Sequence, residues 1–244
     1  MTNTDQRRIT MRNRTRFAVT TAAFTMAATG IFVTPSFANA PVPNPATPVS
    51  GTLTPAEEAE LESSATHPAS VYYQGALVPD NVDIPDAAQV CAEVGVDATM
   101  HCFDTDAQAN AYLAQHAPTQ AAREGAAQAA AGAGNVGTNA YSDCPSDWVC
   151  LWEHADFTGR RLQWPTYDTA KTRHLDRYKP SFRDKTSSAF VNRPQRGVWL
   201  YDIRSGLPDP HLILASGWSL YANFKDYDYP YGGNWNDKAD AIKF

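Results

Sequence analysis

The chain has 244 residues, enough for one or two domains, and its formal net charge is −6. The charge is uneven: residues 41–140 carry twelve acidic side chains against one basic one, whereas residues 141–244 carry thirteen acidic and fourteen basic ones. The first region would repel phosphate and anionic lipid, and the second has no strong basic excess, so nucleic acid is not an expected partner.

Residues 1–40 have the order of features of a secretory signal peptide. Five arginines between Arg7 and Arg16 precede a 17-residue apolar stretch, Phe17 to Val33, and a small-residue site ends at Ala40. Threonines dilute the apolar stretch, so it is too weak to span a bilayer, and no later segment is apolar enough. We therefore expect cleavage after Ala40 and a secreted, extracellular protein without membrane insertion.

Two of the following regions are predicted to lack a core of their own. Residues 41–70 are rich in Pro, Thr, Ala and Glu and are expected to form a flexible lead-in, with a short helix near 55–62. Residues 118–140 consist mostly of Ala, Gly and Gln and are expected to form a linker. The alternative is a helix, but Gly125, Gly132 and Gly134 argue against a long one.

Between these two regions, residues 71–117 are expected to form a small acidic subdomain of α+β type. With about 45 residues, it would be marginally stable by itself. An N-cap candidate at Asp104 or Thr105 precedes its helix. The predicted elements are short strands at 71–73 and 100–103 and a helix at 106–115.

From Tyr141 onward the pattern is all-β. All six tryptophans lie in residues 141–244, where aromatic and β-branched runs alternate with clusters of Gly, Pro, Asn and Asp. The predicted strands are 148–153, 160–164, 187–191, 198–202, 211–215, 219–224 and 241–244.

This C-terminal region repeats itself. Leu151-Trp152-Glu153 recurs as Leu200-Tyr201-Asp202 after 49 residues, and the run from Asp184 to Ser188 recurs as Asp237 to Ala241 after 53 residues. Each copy is too small to bury its own apolar face, so two copies are expected to pack on a shared core.

Four cysteines allow three pairings, and export permits disulfides. Local pairing, Cys91 with Cys102 and Cys144 with Cys150, is favoured because each pair lies within one segment. The alternative for the second pair is half of a zinc site, but a second Cys or His pair is missing nearby, so no zinc is expected.

The chain shows none of the residue sets that carry catalysis. Its six histidines are scattered, without H-E-x-x-H, and no serine lies in a G-x-S-x-G elbow. We therefore predict that the protein is not an enzyme. The aromatic run from Tyr227 to Trp235 is interpreted as core and turn packing, with stacking on a sugar ring or on bases as the alternative.

A tight hairpin is predicted between Trp152 and Gly159, where two aromatic residues and a glycine surround the turn. With Ser187 and Ser188 about thirty residues later, it resembles the Greek-key signature of the βγ-crystallin superfamily, in which a serine caps the folded hairpin. The resemblance implies a βγ-crystallin-like double Greek-key sandwich for residues 141–244.

Three segments resemble one branch of that superfamily more closely. They are Cys144-Pro-Ser-Asp-Trp-Val-Cys150-Leu-Trp152, Gly159-Arg-Arg-Leu162 and Asp184-Lys-Thr-Ser-Ser188. Together they resemble the secreted actinobacterial peptidase inhibitor family I36. This resemblance implies inhibition of metalloproteinases, with an extracellular protease as the partner.

The family pattern has a cysteine pair in its second half, and this chain has none there. The substitute is the loop from Ile203 to Pro210, which two prolines stiffen and in which Leu207 is an apolar residue of the kind that thermolysin-like proteases favour. The alternative is a long connection that binds nothing. The candidate protease-contact residues are Arg204, Gly206, Leu207, Pro208 and Pro210.

The βγ-crystallin resemblance also implies calcium as the only candidate cofactor. Modules of that superfamily often bind Ca²⁺ through an Asn/Asp-Asn/Asp-x-x-Ser/Thr-Ser pattern, and both copies here carry degraded forms of it. Arg183 stands at the first acidic position of one copy and opposes a divalent cation. The alternative is that these residues only shape turns. The candidate ligands are Asp184, Ser187, Asn236, Asp237 and Asp240.

Overall fold

The computed structural model describes residues 44–45, 47–66, 70–80, 82–95, 98–132, 140–165 and 171–244. The expected signal peptide lies outside these residues. Within the described segments, none of the helices combines the length and the apolar character that crossing a bilayer requires.

The all-β pattern predicted for the C-terminal region is confirmed. Each predicted strand is present, with ends that differ by at most a few residues, and the predicted 211–215 strand begins one residue earlier. The strands are β8 (Trp148–His154), β9 (Thr158–Pro165), β10 (Thr172–His174), β11 (Ser188–Asn192), β12 (Val198–Tyr201), β13 (Pro210–Leu214), β14 (Ser219–Tyr221) and β15 (Ala241–Lys243).

These eight strands form two interlocked Greek-key motifs, β8–β11 and β12–β15. One sheet contains the order β14-β11-β8-β9 and the other the order β13-β12-β15-β10. The third strand of each motif therefore pairs in the sheet of the other motif, antiparallel in both cases. The predicted double Greek-key sandwich with one shared core is confirmed.

The shared core explains the sequence of β8, which is apolar without alternation. Val149 and Leu151 point into the space between the two sheets, where they pack with Trp164 and Trp235. The alternate residues of the same strand, Trp148, Cys150 and Trp152, are buried in a second cluster on the outer face. A strand that is covered on both faces needs an apolar residue at every position.

The elements that cover the sandwich come from the N-terminal part of the chain. Its elements are β1 (Asn44–Pro45), β2 (Val49–Thr52), α1 (Pro55–Ser63), β3 (Ala65–Thr66), β4 (Val71–Tyr73), β5 (Ala76–Leu77), β6 (Val90–Val94), β7 (Thr99–Phe103), α2 (Asp106–His116) and α3 (Gln120–Gly132). The two strands and the helix predicted in residues 71–117 correspond to β4, β7 and α2.

All four edges of the double Greek-key sandwich are paired with N-terminal strands. In the first sheet β1 joins β14, and β6 joins β9 and leads on to β7, β4 and β5. In the second sheet β2 joins β13 and β3 joins β10. Unpaired edges invite association with other chains, and here the chain covers its own.

The expected lead-in forms a strap across the second sheet. β2 and β3 lie at opposite edges of that sheet, and α1 connects them. Helix α1 starts at a capping box in which Thr54 accepts from the backbone N–H of Glu57 and the Glu57 side chain accepts from that of Thr54. Leu53 and Leu61 are buried in one cluster with Tyr201 of the sheet.

Helix α3 lies within the expected linker. Trp148 donates its indole N–H to the carbonyl of Ala122 at 3.1 Å. Gly125 faces the backbone of Ser146 so closely that an added Cβ would lie 2.0 Å from the Ser146 carbonyl oxygen. Gly125, which argues against a long helix, is therefore required by the close approach of α3 to the backbone of Ser146.

Covalent and ionic links tie these parts together. The two predicted disulfides, Cys91–Cys102 and Cys144–Cys150, are confirmed. Because both thiols of the second pair are bonded to each other, they are not available for a zinc site. Arg173 forms a two-point ion pair with Glu93 at 2.7 and 2.8 Å, and both side chains are buried.

Candidate functional site

The loop from Asp202 to Asp209 connects β12 and β13 and projects from the second sheet. Arg204, Ser205, Gly206, Leu207 and Pro208 are exposed, and Leu207 exposes 48% of its surface. An exposed leucine in a loop offers an aliphatic group that an apolar pocket of a partner can bind.

The base of this loop is held by Asp209. Its carboxylate accepts from the backbone N–H of Arg204 at 2.6 Å, which closes the loop on itself. Its own backbone N–H donates to Glu58 of α1 at 2.8 Å, and its carbonyl accepts from the N–H of Leu53 at 2.8 Å. The N-terminal strap therefore anchors the C-terminal end of the loop.

Two tyrosines brace the other side of the loop. The Tyr231 hydroxyl donates to the carbonyl of Pro208 at 2.7 Å, and the Arg204 guanidinium lies 5.4 Å from the Tyr231 ring centroid. Arg204 also donates to the Tyr229 hydroxyl at 2.9 Å, and that hydroxyl donates to Asp202. Burial, followed by the bond to Asp202, raises the pKa of Tyr229 to about 12. The aromatic run thus supports the loop.

One candidate contact residue needs correction. Pro210 is buried and is the first residue of β13, where it pairs with Thr52 of β2. It cannot touch a protease, because it lies inside the sheet. The other four candidates, Arg204, Gly206, Leu207 and Pro208, lie together on the exposed part of the loop.

The predicted folded hairpin of the first motif is present between β8 and β9. Asp156, Phe157 and Gly159 all have positive φ angles, and the Phe157 ring packs edge-on against Trp152 at 5.3 Å. The Ser188 hydroxyl donates to the carbonyl of His154 at 2.7 Å and accepts from the N–H of Phe157 at 3.1 Å. Ser188 is thus the serine that caps the hairpin.

Four of the five candidate calcium ligands line one cavity of about 490 Å³ beside this hairpin; they are Asp184, Ser187, Asn236 and Asp237. The Ser187 hydroxyl donates to the Asp237 carboxylate at 3.1 Å, and the Asn236 amide donates to its other oxygen at 2.6 Å. Lys185 and Lys225 also line the cavity. The oxygens are gathered, but two ammonium groups weaken the field for a cation.

The fifth candidate, Asp240, is not part of that cavity's lining. It is 2% exposed and accepts from Arg183 at 2.7 Å and from the N–H of Ile203 at 2.9 Å. Burial is the main reason that the pKa of Asp240 rises to about 7. The Asp240 carboxylate is therefore already paired with the Arg183 guanidinium. Among the described residues, no cluster of three or more His, Cys, Asp or Glu side chains could hold a metal ion.

Sequence reasoning missed the residues that hold the loop. Glu58 looks like an ordinary exposed helix residue, since its partner lies 151 positions away. The position of Asp209 between Pro208 and Pro210 is a local signal, because an Asp side chain beside prolines commonly closes a turn. Tyr229 and Tyr231 are recognisable only as part of an aromatic run.

A comparison with protein-family models finds one match, which includes the first motif. Residues 137–205 match the model of peptidase inhibitor family I36. The family resemblance read from the sequence is confirmed. The I36 match includes the whole first motif, β12 and the start of the loop, and it ends before Gly206.

A comparison with solved structures finds similarity to a beta gamma crystallin from Ciona intestinalis. The two chains are 22% identical, the match covers 39% of this chain and 96% of the crystallin, and the TM-score is 0.27. No curated protein matches the chain.

Proposed function

We propose that the protein is a secreted inhibitor of an extracellular peptidase and that the exposed loop residues Arg204 to Pro208 contact the enzyme. The I36 match supports an inhibitor, and an inhibitor's role is binding rather than catalysis. The observation that carries the proposal is the loop itself, which exposes Leu207. Hydrogen bonds from Arg204 to Asp209 and from Tyr231 to Pro208 fix the backbone on both sides of this leucine. We take a metalloproteinase as the target class.

The physical basis is the small entropy that such a loop loses on binding. Ordering a flexible chain costs about 1–2 kcal/mol per residue, and a loop that is already fixed avoids most of that cost. The hydrogen bonds at Asp209 and Pro208 fix the conformation of this loop, as the cysteine pair in the second half of the family pattern would. Leu207 is the residue that would enter an apolar specificity pocket.

The test is a titration of a thermolysin-type metalloproteinase and of a subtilisin-type serine protease with the full chain. We expect stoichiometric loss of metalloproteinase activity and no effect on the serine protease. Leu207→Asp should raise the inhibition constant at least about tenfold, since a charge cannot enter an apolar pocket.

Leu77 provides a matched control. It is also an exposed leucine in a hairpin, with 59% of its surface accessible, but it belongs to β5 of the other sheet. Leu77→Asp should inhibit as the unmodified chain does. Full activity of both proteases at about 10 μM protein would rule out inhibition, because inhibitors of this type bind much more tightly.

Export is part of the proposal. The signal-peptide pattern of residues 1–40 and two disulfides among the described residues support it. Expression of the whole sequence in a secreting host should release a protein into the medium whose mass corresponds to a chain starting at Pro41. Retention of the whole chain inside the cell would contradict export.

We further propose that residues 41–140 stay with the mature protein as part of its fold. The boundaries between the lead-in, the acidic subdomain, the linker and the C-terminal region are then near residues 70, 117 and 140. Their strands pair with both sheets of the sandwich, and Glu93 neutralises the buried Arg173. A removable pro-segment would leave that arginine buried without its carboxylate, which is costly.

A second candidate function is the binding of one calcium ion in the cavity beside the first hairpin. It is favoured by the convergence of Ser187, Asn236 and Asp237 on that cavity. A ligand that binds only the native state raises the melting temperature. Millimolar calcium should therefore raise the midpoint relative to chelator, and Asp237→Asn should abolish the difference, whereas the exposed Asp226→Asn should not. Equal midpoints in calcium and chelator would exclude the ion site.

A further inference from the structure

A groove of about 600 Å³ lies on the outer face of the second sheet, beside α1. Its lining includes Trp199 and Tyr201, which are alternate residues of β12 and therefore point to the same face. Their ring centroids are 6.2 Å apart with an angle of 29° between the ring planes. His211 adds a third ring, 5.0 Å from Trp199. Trp199 is partly exposed, so solvent reaches this aromatic surface.

Two hydrogen-bond donors in this groove have no partner among the described residues. They are the hydroxyl of Tyr201, which is 4% exposed, and the indole N–H of Trp199. Burial, and after it the carboxylates of Glu60 and Glu57, raise the pKa of Tyr201, so its hydroxyl keeps its proton and remains a donor. Neither atom is among the fully buried side-chain atoms that lack a partner, so each can donate to water in the free protein and to a ligand hydroxyl in the complex.

The rim of the groove carries balanced charges. Glu57 and Glu60 lie one turn apart on α1, and Arg196 and Lys243 come from the sheet side. Lys243 donates to Glu60 at 2.6 Å. The two acids offset the two bases, so neither an anion nor a cation gains a net attraction. A neutral ligand with both donors and acceptors fits this rim best.

We propose that this groove binds a neutral saccharide. The apolar C–H face of a pyranose ring would stack on Trp199, as sugars do on aromatic side chains. Its ring hydroxyls would accept from Tyr201 and from the indole, and would donate to Glu57 or Glu60. A cavity of about 600 Å³ is within the usual range for small-ligand sites and holds one or two rings. This site is separate from the protease-contact loop, and its test does not depend on inhibition.

The experiment is a titration of the full chain with cellotetraose, maltotetraose and the tetramer of N-acetylglucosamine, followed by tryptophan fluorescence and calorimetry. At least one probe should bind, with a Kd of about 0.01–1 mM. Trp199→Ala should weaken that binding at least tenfold, and Tyr201→Phe, which removes only the hydroxyl, should weaken it about three- to tenfold. Trp218→Ala, at another partly exposed tryptophan, should leave it unchanged.

Circular dichroism and melting temperature establish that each variant is folded. Trp199→Ala leaves a gap in the groove, whereas Tyr201→Phe keeps the aromatic ring in place and therefore tests the hydroxyl alone. Absence of binding for all three probes at about 5 mM would overturn the proposal. So would binding that survives Trp199→Ala undiminished. Tighter binding of hexalysine or hexaglutamate than of any saccharide would show that the groove accepts a charged peptide instead, and would also overturn it.

Discussion

At the residue scale, Ser188 shows how one hydroxyl holds a strained turn. Its hydroxyl donates to the carbonyl of His154 and accepts from the N–H of Phe157, so it binds two backbone groups of the folded hairpin at once. The second motif has Ala241 at the corresponding position of the repeat. The first hairpin alone therefore depends on a serine cap.

Ser188→Ala should destabilise the protein by about 1–3 kcal/mol, because it leaves a buried donor and a buried acceptor unpaired. Urea unfolding followed by tryptophan fluorescence measures the change. Ser205→Ala, at an exposed loop position, should change the free energy of unfolding by less than about 0.5 kcal/mol. An equal loss in both variants would mean that Ser188 does not cap the hairpin.

Asp240 should make the protein lose stability as the pH rises. Its pKa of about 7 in the folded state lies above the usual 3.8. The unfolded chain therefore releases this proton first, and the contribution of Asp240 to stability is full below about pH 4 and disappears between about pH 4 and 7. One pKa unit corresponds to about 1.4 kcal/mol, which sets an upper limit of about 4 kcal/mol.

The check is a series of urea unfolding curves between pH 4 and pH 8. Asp240→Asn carries no ionisable group at this position, so the decline should become shallower. Asp83→Asn, at an exposed position, is the control and should keep the decline of the unmodified chain. A decline that is the same in all three proteins would contradict the role of Asp240.

At the element scale, helix α3 offers two glycines with opposite expectations. An added methyl at Gly125 would collide with the Ser146 carbonyl, whereas Gly132 has open space around it. Gly125→Ala should therefore cost about 2 kcal/mol or more through displacement of α3. Gly132→Ala should be neutral or stabilise by up to about 1 kcal/mol, because alanine favours helix. Thermal unfolding of both variants measures the difference in stability. Equal shifts of the melting temperature would refute the close contact between Gly125 and Ser146.

The buried pair of Arg173 and Glu93 joins β10 of the sandwich to β6 of the N-terminal region. Glu93→Ala should cost about 3–5 kcal/mol, because it leaves a buried guanidinium without its carboxylate. Asp176→Ala removes the acid from an exposed pair with Arg177 and should cost at most about 1 kcal/mol. Chemical denaturation measures the free energy of unfolding of both variants. Small losses of similar size in the two variants would show that the N-terminal region is only peripheral to the fold.

Local sequence predicts the elements well but not their partners. The strands of the sandwich and helix α2 follow from the alternation of apolar residues, from turn residues and from an N-cap, all of which act over a few positions. The length of helix α3 does not follow from the sequence, because Gly125 argues against a long helix when its packing against Ser146 is unknown. The pairing of β2 with β13 depends on residues far apart in the chain and leaves no local mark.

The same limit applies to the candidate site. Leu207 and the two prolines that follow it stand out in the sequence, and the structure places Leu207 and Pro208 on the exposed loop. The contacts that hold the loop, from Glu58 and Tyr231, join segments that only the tertiary fold brings together. Buried charges such as Arg173 are likewise invisible in sequence, since most arginines are solvated.

At the scale of the whole molecule, the shared sheets predict one cooperative transition. All six tryptophans lie in the C-terminal region, whereas helices α1 to α3 belong to the N-terminal part. Tryptophan fluorescence and far-ultraviolet circular dichroism therefore report mainly on different parts of the chain. Their thermal midpoints should coincide, because neither part can unfold without exposing the sheet edges of the other. Two separated midpoints would show that the parts are independent domains.

The pairing of the first strands with the last ones also governs how the protein must acquire its structure. Asn44 pairs with Ser219 and Val49 with Ile213, so β1 and β2 cannot pair before nearly the entire chain has been synthesised. Folds dominated by such remote contacts form in milliseconds to seconds rather than microseconds. The two sheets consequently cannot be completed until translation is almost finished, and a chain exported during its synthesis would pass a narrow translocation channel before it folds.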